Sequence, residues 1–374
     1  MSAHPHYAHA IPFAQLLAEL EAARAQKLVY SRTDGSLQLW CYTAKAVYDK
    51  AWTPAVEAAR GLVLDLQRRL IVATPFPKFF NIGEAGVAVP DESFEVFEKV
   101  DGSLIILFHD GKQWRTATKG ALDSPQALWA AERLSMADLS SLELGTTYLA
   151  EAIYPENRIV VRYAESGLVL LAAYDAKGVE YSAQGVTVAA KQLGWRVAKR
   201  ESFGSMADLL VRAEKLTANE EGFVLRFTSG LRLKLKGSAY ARLHALIAGV
   251  TPLGLWELLA AEKDIEMVRR EIPEEFWWDF DEIRRLLEER LEARLAAVRQ
   301  LAAEVALLSD KELGLRLGGV PKDTARYLFG YRRSPDLRSD RRAMQNLLRD
   351  IRPQGNVLPG YRPSYAVQHV MDDG

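Results

Sequence analysis

The chain has 374 residues, with 48 Lys or Arg against 49 Asp or Glu, a formal net charge of -1. That length and a hydrophobic content of 49% suffice for two ordinary cores, while the neutral balance excludes a protein that coats nucleic acid by bulk charge and leaves only a local basic patch for that purpose. The single cysteine, Cys41, excludes an intrachain disulfide, and no apolar run reaches the roughly 18 residues of a membrane span.

In chain order, His4, His6 and His9 lie in a Pro-containing terminus expected to be disordered rather than metal-binding. An amphipathic helix over Ile11 to Gln26 follows, then a hairpin over Leu28 to Tyr42 and a strand pair, Gly61 to Leu66 and Leu70 to Pro75. Inside that hairpin, Arg32-Thr33-Asp34-Gly35-Ser36 is a turn. Lys99-Val100-Asp101-Gly102-Ser103 repeats it with a lysine first, and a lysine, unlike a guanidinium, loses a proton readily enough to attack phosphorus. By itself the second motif reads equally well as a turn.

Beyond Lys99, the apolar run Leu104 to Phe108, the turn His109-Asp110-Gly111-Lys112 and the alternation of Trp114, Thr116 and Thr118 predict a buried hairpin. Lys99 and Lys119 bracket it and are expected to face one pocket. Tyr148 to Ile153 reads as a strand carrying Glu151, and Ile159 to Tyr163 as another, with Tyr154-Pro155-Glu156-Asn157-Arg158 as the turn between them. A carboxylate in an apolar strand needs a partner: Arg158 or Arg162, or else a metal or a ribose. Glu220-Glu221-Gly222-Phe223-Val224-Leu225-Arg226-Phe227 is a strand with acidic residues at its mouth. It returns after Ser229-Gly230 as Leu231 to Lys236, with leucines inward and Arg232, Lys234 and Lys236 as a positive stripe on the other face. Such a stripe either protects a sheet edge or holds an anion.

Strand signals stop near residue 245, which divides the chain into domains of residues 1–245 and 246–374. Thr251-Pro252 opens a helix, and Phe280, Ile283, Leu287, Leu291, Leu295, Val298 and Val305 recur as on one long amphipathic helix. The charge then turns from acidic (Glu271 to Glu292) to an arginine cluster: Arg326, Arg332, Arg333, Arg338, Arg341, Arg342, Arg349 and Arg352. With Tyr327, Phe329 and Tyr331 between them, these arginines either track an RNA backbone or pair with the acidic helix.

Lys99, Lys119, Glu151, Glu221-Gly222-Phe223-Val224 and Lys234-Leu235-Lys236, in this order, resemble the covalent nucleotidyltransferase superfamily of ATP-dependent ligases and capping enzymes. Ala59-Arg60-Gly61-Leu62-Val63-Leu64, Pro77-Lys78-Phe79-Phe80-Asn81 and Asn157-Arg158-Ile159-Val160 narrow the resemblance to the T4 RNA ligase 1 family over about residues 27 to 245. Two departures stand out. Thr116 and Thr118 replace a further lysine that the family often has before Lys119-Gly120, and the part after Ala245 is similar only around Gly319-Val320-Pro321-Lys322 and Leu328-Phe329-Gly330.

The resemblance implies an α+β fold: an adenylyltransferase domain of antiparallel sheets with flanking helices, followed by an all-α C-terminal domain. It implies an ATP-dependent RNA ligase that joins 5′-phosphate and 3′-hydroxyl ends through lysyl-AMP and RNA-adenylate. Sister activities in the superfamily are DNA ligase and mRNA-capping guanylyltransferase, whose usual OB barrel would show as strands beyond residue 245. A non-catalytic RNA-end-binding protein is the third reading, and GTP use stays open.

By the same resemblance Lys99 is the nucleophile, with Asp101, Lys234 and Lys236 as further catalytic residues. Arg60 and Lys78 steer pyrophosphate, while Gly102 and Lys119 belong to the nucleotide pocket. Adenine lies against Val224 and is read by Glu98 or by backbone near Lys99. Glu151 and Glu221 hold Mg²⁺, with Mn²⁺ as a substitute, or Glu151 takes the ribose hydroxyls. Lys234, Lys236 and the metal are expected to depress the Lys99 pKa. The expected partners are RNA, nicked tRNA among the candidates, and an end-healing kinase or phosphatase; no membrane is involved. The protein is expected to be a cytoplasmic monomer, in the host cytoplasm if phage-encoded.

Overall fold

The computed structural model describes residues 5–84, 86–319 and 322–364. The chain divides into two compact units, 1–241 and 242–374. The division falls inside the helix Ser238–Ala248, close to the expected residue 245.

The first unit is built on three sheets. A meander of β1 (Val29–Asp34), β2 (Leu37–Tyr42), β3 (Arg60–Asp65) and β4 (Leu70–Ala73) forms the first, and Arg32 to Ser36 runs from the end of β1 into its hairpin turn at Gly35 and Ser36. The second runs in the order β12-β6-β13-β14-β5, from β5 (Phe80–Asn81), β6 (Phe94–Glu98), β12 (Arg200–Glu201), β13 (Gly222–Phe227) and β14 (Arg232–Lys236). The third runs β11-β10-β9-β7-β8, from β7 (Ser103–His109), β8 (Trp114–Ala117), β9 (Thr147–Ile153), β10 (Gly167–Tyr174) and β11 (Arg196–Val197). Pairing is antiparallel except at two short edges, where β5 joins β14 and β11 joins β10 in parallel.

Burial explains the patterning. Ile105 to Phe108 read as an unbroken apolar run because both faces of β7 are covered. Ile106 and Phe108 pack with Leu39 and Val63 of the first sheet, while Ile105 and Leu107 face helical residues such as Ala130, Leu134 and Val186. In the second sheet Val96, Phe223, Leu225 and Leu233 bury against Leu209 and Ala213 of the helix Met206–Glu214. Strand alternation therefore turns Phe97, Val224 and Lys234, which pair across the three central strands, to the opposite face.

Three expectations need correction. Ile159 to Tyr163 is not a strand, although Ile159, Val160 and Val161 are buried, because the Asp101 carboxylate accepts the Val160 and Val161 amides that a neighbouring strand would otherwise bind. In the positive stripe, Arg232 is buried and ion-paired with Glu180, which Arg226 also contacts at 2.7 Å, while Leu231 is exposed at the turn. Only Lys234 and Lys236 remain as ligand candidates there.

The histidine terminus is ordered from Pro5 onward, although His4 lies outside the described residues. The His6 amide donates to Gly178 O at 2.8 Å, and the buried His6 ring lies edge-on to Tyr174. His6 Nδ1 accepts from the Ala8 amide, so the ring proton sits on Nε2, which has no partner. Burial and the neighbouring His9 hold the His6 pKa down at about 3. The docked segment stays neutral while the released one protonates near 6.5, so docking weakens as pH falls from about 6.5 towards 3. The protection factor for amide exchange over residues 5–11, taken against the intrinsic exchange rate at each pH, should fall across that window, and His6→Phe should remove the dependence.

The second unit is all-α among its described residues, with the helices Pro252–Ala260, Ile265–Glu271, Trp277–Glu304, Asp310–Arg316, Lys322–Arg333 and Arg341–Asp350. Phe280, Ile283, Leu287, Leu291, Leu295 and Val298 are buried along one stripe of the 28-residue helix, as the periodicity predicts. No single helix among the described residues is long and apolar enough to cross a membrane.

Candidate active site

Lys99 to Gly102 do not form a hairpin turn. They carry the chain from β6 of the second sheet to β7 of the third, and the Lys99 amide donates to Gly222 O at 2.8 Å. The two motif glycines make the close approach possible. A Cβ on Gly102 would overlap the Ala152 carbonyl oxygen, and one on Gly222, at φ +144, would overlap that of Leu235.

Lys99 Nζ lies 2.6 Å from Glu221 Oε2, and Lys236 Nζ lies 3.3 Å from Glu221 Oε1. One buried carboxylate thus serves two lysines on opposite sides of β13. Burial works against the Lys99 ammonium, but the charges of Glu221, Glu151 and Asp101 outweigh it and raise its pKa above the ordinary 10.5. The expected depression is therefore absent from the chain's own groups, since the charges of three carboxylates dominate at Lys99. Burial raises the Glu221 carboxyl, opposed by Lys99 and Lys236.

Asp101 is a junction rather than a free base. Its Oδ2 accepts the Val160 and Val161 amides at 2.9 and 2.8 Å, its Oδ1 accepts the Tyr240 hydroxyl at 2.7 Å, and its own amide donates to Tyr163 Oη at 2.7 Å. With both oxygens engaged, the Asp101 carboxylate holds the loop that carries Lys99. Neither tyrosine was legible as a partner, since Tyr240 is 139 residues from Asp101 and no spacing rule links them.

Arg60, Lys78, Lys99 and Lys236 all exert charge on Lys234. Burial, reinforced by these cations, lowers its pKa to about 7. Arg60 lies over the Phe79 ring at 5.7 Å, and its Nη1 is buried without a hydrogen-bond partner. Half-buried cations without an ion-pair partner among the described residues suit a polyanionic ligand. Lys119 sits against Gly61, next to Arg60, with its charge reaching Cys41.

A cavity of about 460 Å³ is lined by Phe97, Leu171, Val186, Val197, Lys199 and Arg226 among others, on the face of the second sheet that Phe97 presents. Half-buried Val224 pairs with Phe97 on that face. Glu98 is on the other face, and its Oε1 accepts the Lys199 amide at 2.9 Å, so its carboxylate secures the start of β12 against β6. No cluster of three or more His, Cys, Asp or Glu side chains able to hold a metal occurs among the described residues. Glu151 and Glu221, both felt by Lys99, supply two hard-oxygen groups. That fits a cation such as Mg²⁺ which keeps much of its water and takes substrate phosphate oxygens as further ligands.

In the second unit half of the arginine cluster is ion-paired. Arg326 pairs with Asp350, Arg332 with Asp310, Arg338 with Glu292 and Arg341 with Glu262, while Arg352 covers Trp256. Tyr327 is buried in the core, which removes it as a base-stacking surface. Arg333, Arg342 and Arg349 lack an acidic partner among the described residues. Arg332 also donates to Val305 O at 2.5 Å and Leu308 O at 2.7 Å, closing the end of the long helix. Arg332→Ala should therefore cost about 1–3 kcal/mol in denaturant unfolding of the second unit, whereas Arg333→Ala should fall within about 0.5 kcal/mol of wild type.

Residues 58–240 match the family model described as RNA ligase, of the T4 RNA ligase 1 type. RNA ligase 1 of bacteriophage TS2126 is 33% identical over 174 residues, which cover 41% of this chain and 43% of the phage protein. A protein of Autographa californica nuclear polyhedrosis virus, named for polynucleotide kinase and RNA ligase, is 25% identical over 221 residues, 51% of this chain and 31% of its own length. The chain thus spans less than half of the length of these two relatives. An archaeal ATP-dependent RNA ligase aligns with a TM-score of 0.49 at 17% identity, over 76% of this chain and 83% of that one.

Proposed function

Because residues 58–240 place the chain in the T4 RNA ligase 1 family, we propose that it is an ATP-dependent RNA ligase with Lys99 as its nucleophile. The observation that carries this reading is the pair of contacts from one buried carboxylate, Glu221, to Lys99 and Lys236, beside the counter-ion-poor cations Arg60, Lys78 and Lys234.

In the first step Lys99 Nζ attacks the α-phosphorus of ATP. The N–P bond forms as the bond to the bridging oxygen breaks, and pyrophosphate leaves. The ammonium proton has an acceptor 2.6 Å away in Glu221 Oε2, which burial makes more basic. Lys234, Lys236, Arg60 and Lys78 balance the charge on the phosphate oxygens. An RNA 5′-phosphate oxygen then attacks the same phosphorus, and Lys99 leaves, recovering its proton. Finally a 3′-hydroxyl attacks the RNA 5′-phosphorus, releasing AMP and closing the strand. Glu151 and Glu221 would hold Mg²⁺ or Mn²⁺, which would supply further charge neutralisation at the phosphates. By this reading the base lies against Val224 and Phe97, on the face of the second sheet that also carries Lys234.

The substrates of this reading are 5′-phosphate and 3′-hydroxyl RNA ends, with a nicked tRNA loop the first to try and the chain acting as a cytoplasmic monomer. Breaks that leave other ends would need a kinase or phosphatase beforehand, and the baculovirus relative bears a kinase in its name.

Incubation with α-labelled ATP or GTP and Mg²⁺ should give acid-labile label on wild type from ATP alone, and none on Lys99→Ala. Label from GTP alone would move the reading to capping chemistry. Label from neither, in folded protein free of bound AMP, would leave an RNA-end-binding protein.

A further inference from the structure

Lys78 and Lys99 are held by opposite means. Lys99 has a carboxylate at 2.6 Å, whereas Lys78 has no ion-pair partner among the described residues and rests within 5.4 Å of the Trp52 and Phe80 rings and 5.8 Å of the Tyr42 ring. The three rings brace one another edge-to-face, Tyr42 on Trp52 at 5.2 Å and Trp52 on Phe80 at 5.7 Å. They arrive from separate places: the end of β2, the link between two short helices, and β5. The Lys78 backbone is pinned as well, its amide donating to Glu57 O at 2.8 Å. The charge of Glu84 reaches Lys78, but Glu84 Oε2 is taken up by the Asn81 amide and side chain.

Aromatic faces attract a cation without cancelling its charge. A carboxylate in their place would have to be displaced before an anionic ligand bound. We propose that Tyr42, Trp52 and Phe80 form a neutral socket that positions the Lys78 ammonium for the pyrophosphate end of the nucleoside triphosphate. The rings are then positioning residues for the triphosphate-dependent step alone. This rests on the ligase reading for its reaction, though not for its binding.

Calorimetric titration of the full chain with inorganic pyrophosphate, and separately with AMP, tests the socket without any ligase activity. Trp52→Leu should weaken pyrophosphate binding about tenfold and leave AMP within twofold; Trp52→Phe, which keeps a ring, should recover most of the loss. Equal affinity for pyrophosphate in wild type and Trp52→Leu would overturn the inference. So would parallel loss of both ligands, which marks a packing role for Trp52 in the adjacent core.

In the reaction, Trp52→Leu should raise the ATP concentration for half-maximal lysyl-AMP formation about tenfold. Joining of chemically pre-adenylated RNA, which needs no pyrophosphate contact, should stay within twofold. Equal losses in the two half-reactions would again refute the socket. Wild type that binds pyrophosphate through Trp52 but takes no label would defeat the ligase reading and leave the socket standing.

Discussion

Glu221→Ala is expected to form lysyl-adenylate at least about a thousandfold more slowly than wild type in a single turnover with excess ATP and Mg²⁺. Two ammonium groups share this carboxylate at 2.6 and 3.3 Å, so its removal leaves Lys99 and Lys236 to repel each other and deprives Lys99 of its proton acceptor. Glu221→Gln separates the two contributions. It keeps a hydrogen-bonding group but removes the charge that raises the Lys99 pKa, so the acid limb of its pH–rate profile should move to lower pH although the plateau falls. Wild type, with Lys99 raised above 10.5, should still gain rate up to about pH 9, near tenfold per unit while the lysine alone limits. Wild-type label transfer by the alanine variant would remove Glu221 from the chemistry.

Asp101→Ala should cost roughly 3–5 kcal/mol in denaturant unfolding of the first unit. The change strips three donors at once: the Val160 and Val161 amides and the Tyr240 hydroxyl, all buried. Asp101→Asn should be milder, because its oxygen can keep the two amides while its NH₂ donates to the Tyr240 oxygen, which is able to accept. Amide exchange at Val160 and Val161 should therefore rank alanine fastest, asparagine intermediate and wild type slowest. Equal exchange in all three would mean that the loop is held by something other than this carboxylate.

Much of this architecture is readable from residue order, for definite reasons. Period-two alternation and Gly turns place the hairpins because each strand buries one face, and β7 declares its full burial by the unbroken run Ile105 to Phe108. The cluster of Lys99, Glu221 and Lys236 follows from motifs whose glycines admit no other side chain. What escaped was decided by long-range partners. Ile159 to Tyr163 has strand-like composition, but its amides are bound by Asp101, about 60 residues earlier. Arg232 has the same alternation as Lys234 and Lys236, yet Glu180 claims it. The direction of the Lys99 shift escaped as well, since three carboxylates from separate segments converge on it.

The backbone of Lys99 is hydrogen-bonded to Gly222 on one side, and Gly102, three residues on, is pressed against Ala152 on the other. On the ligase reading proposed above, a nucleophile mounted in this way would not travel with its cargo. The adenylyl group would stay at one point in space while pyrophosphate departs and an RNA end takes its place, so turnover would be a sequence of arrivals and departures around a stationary post.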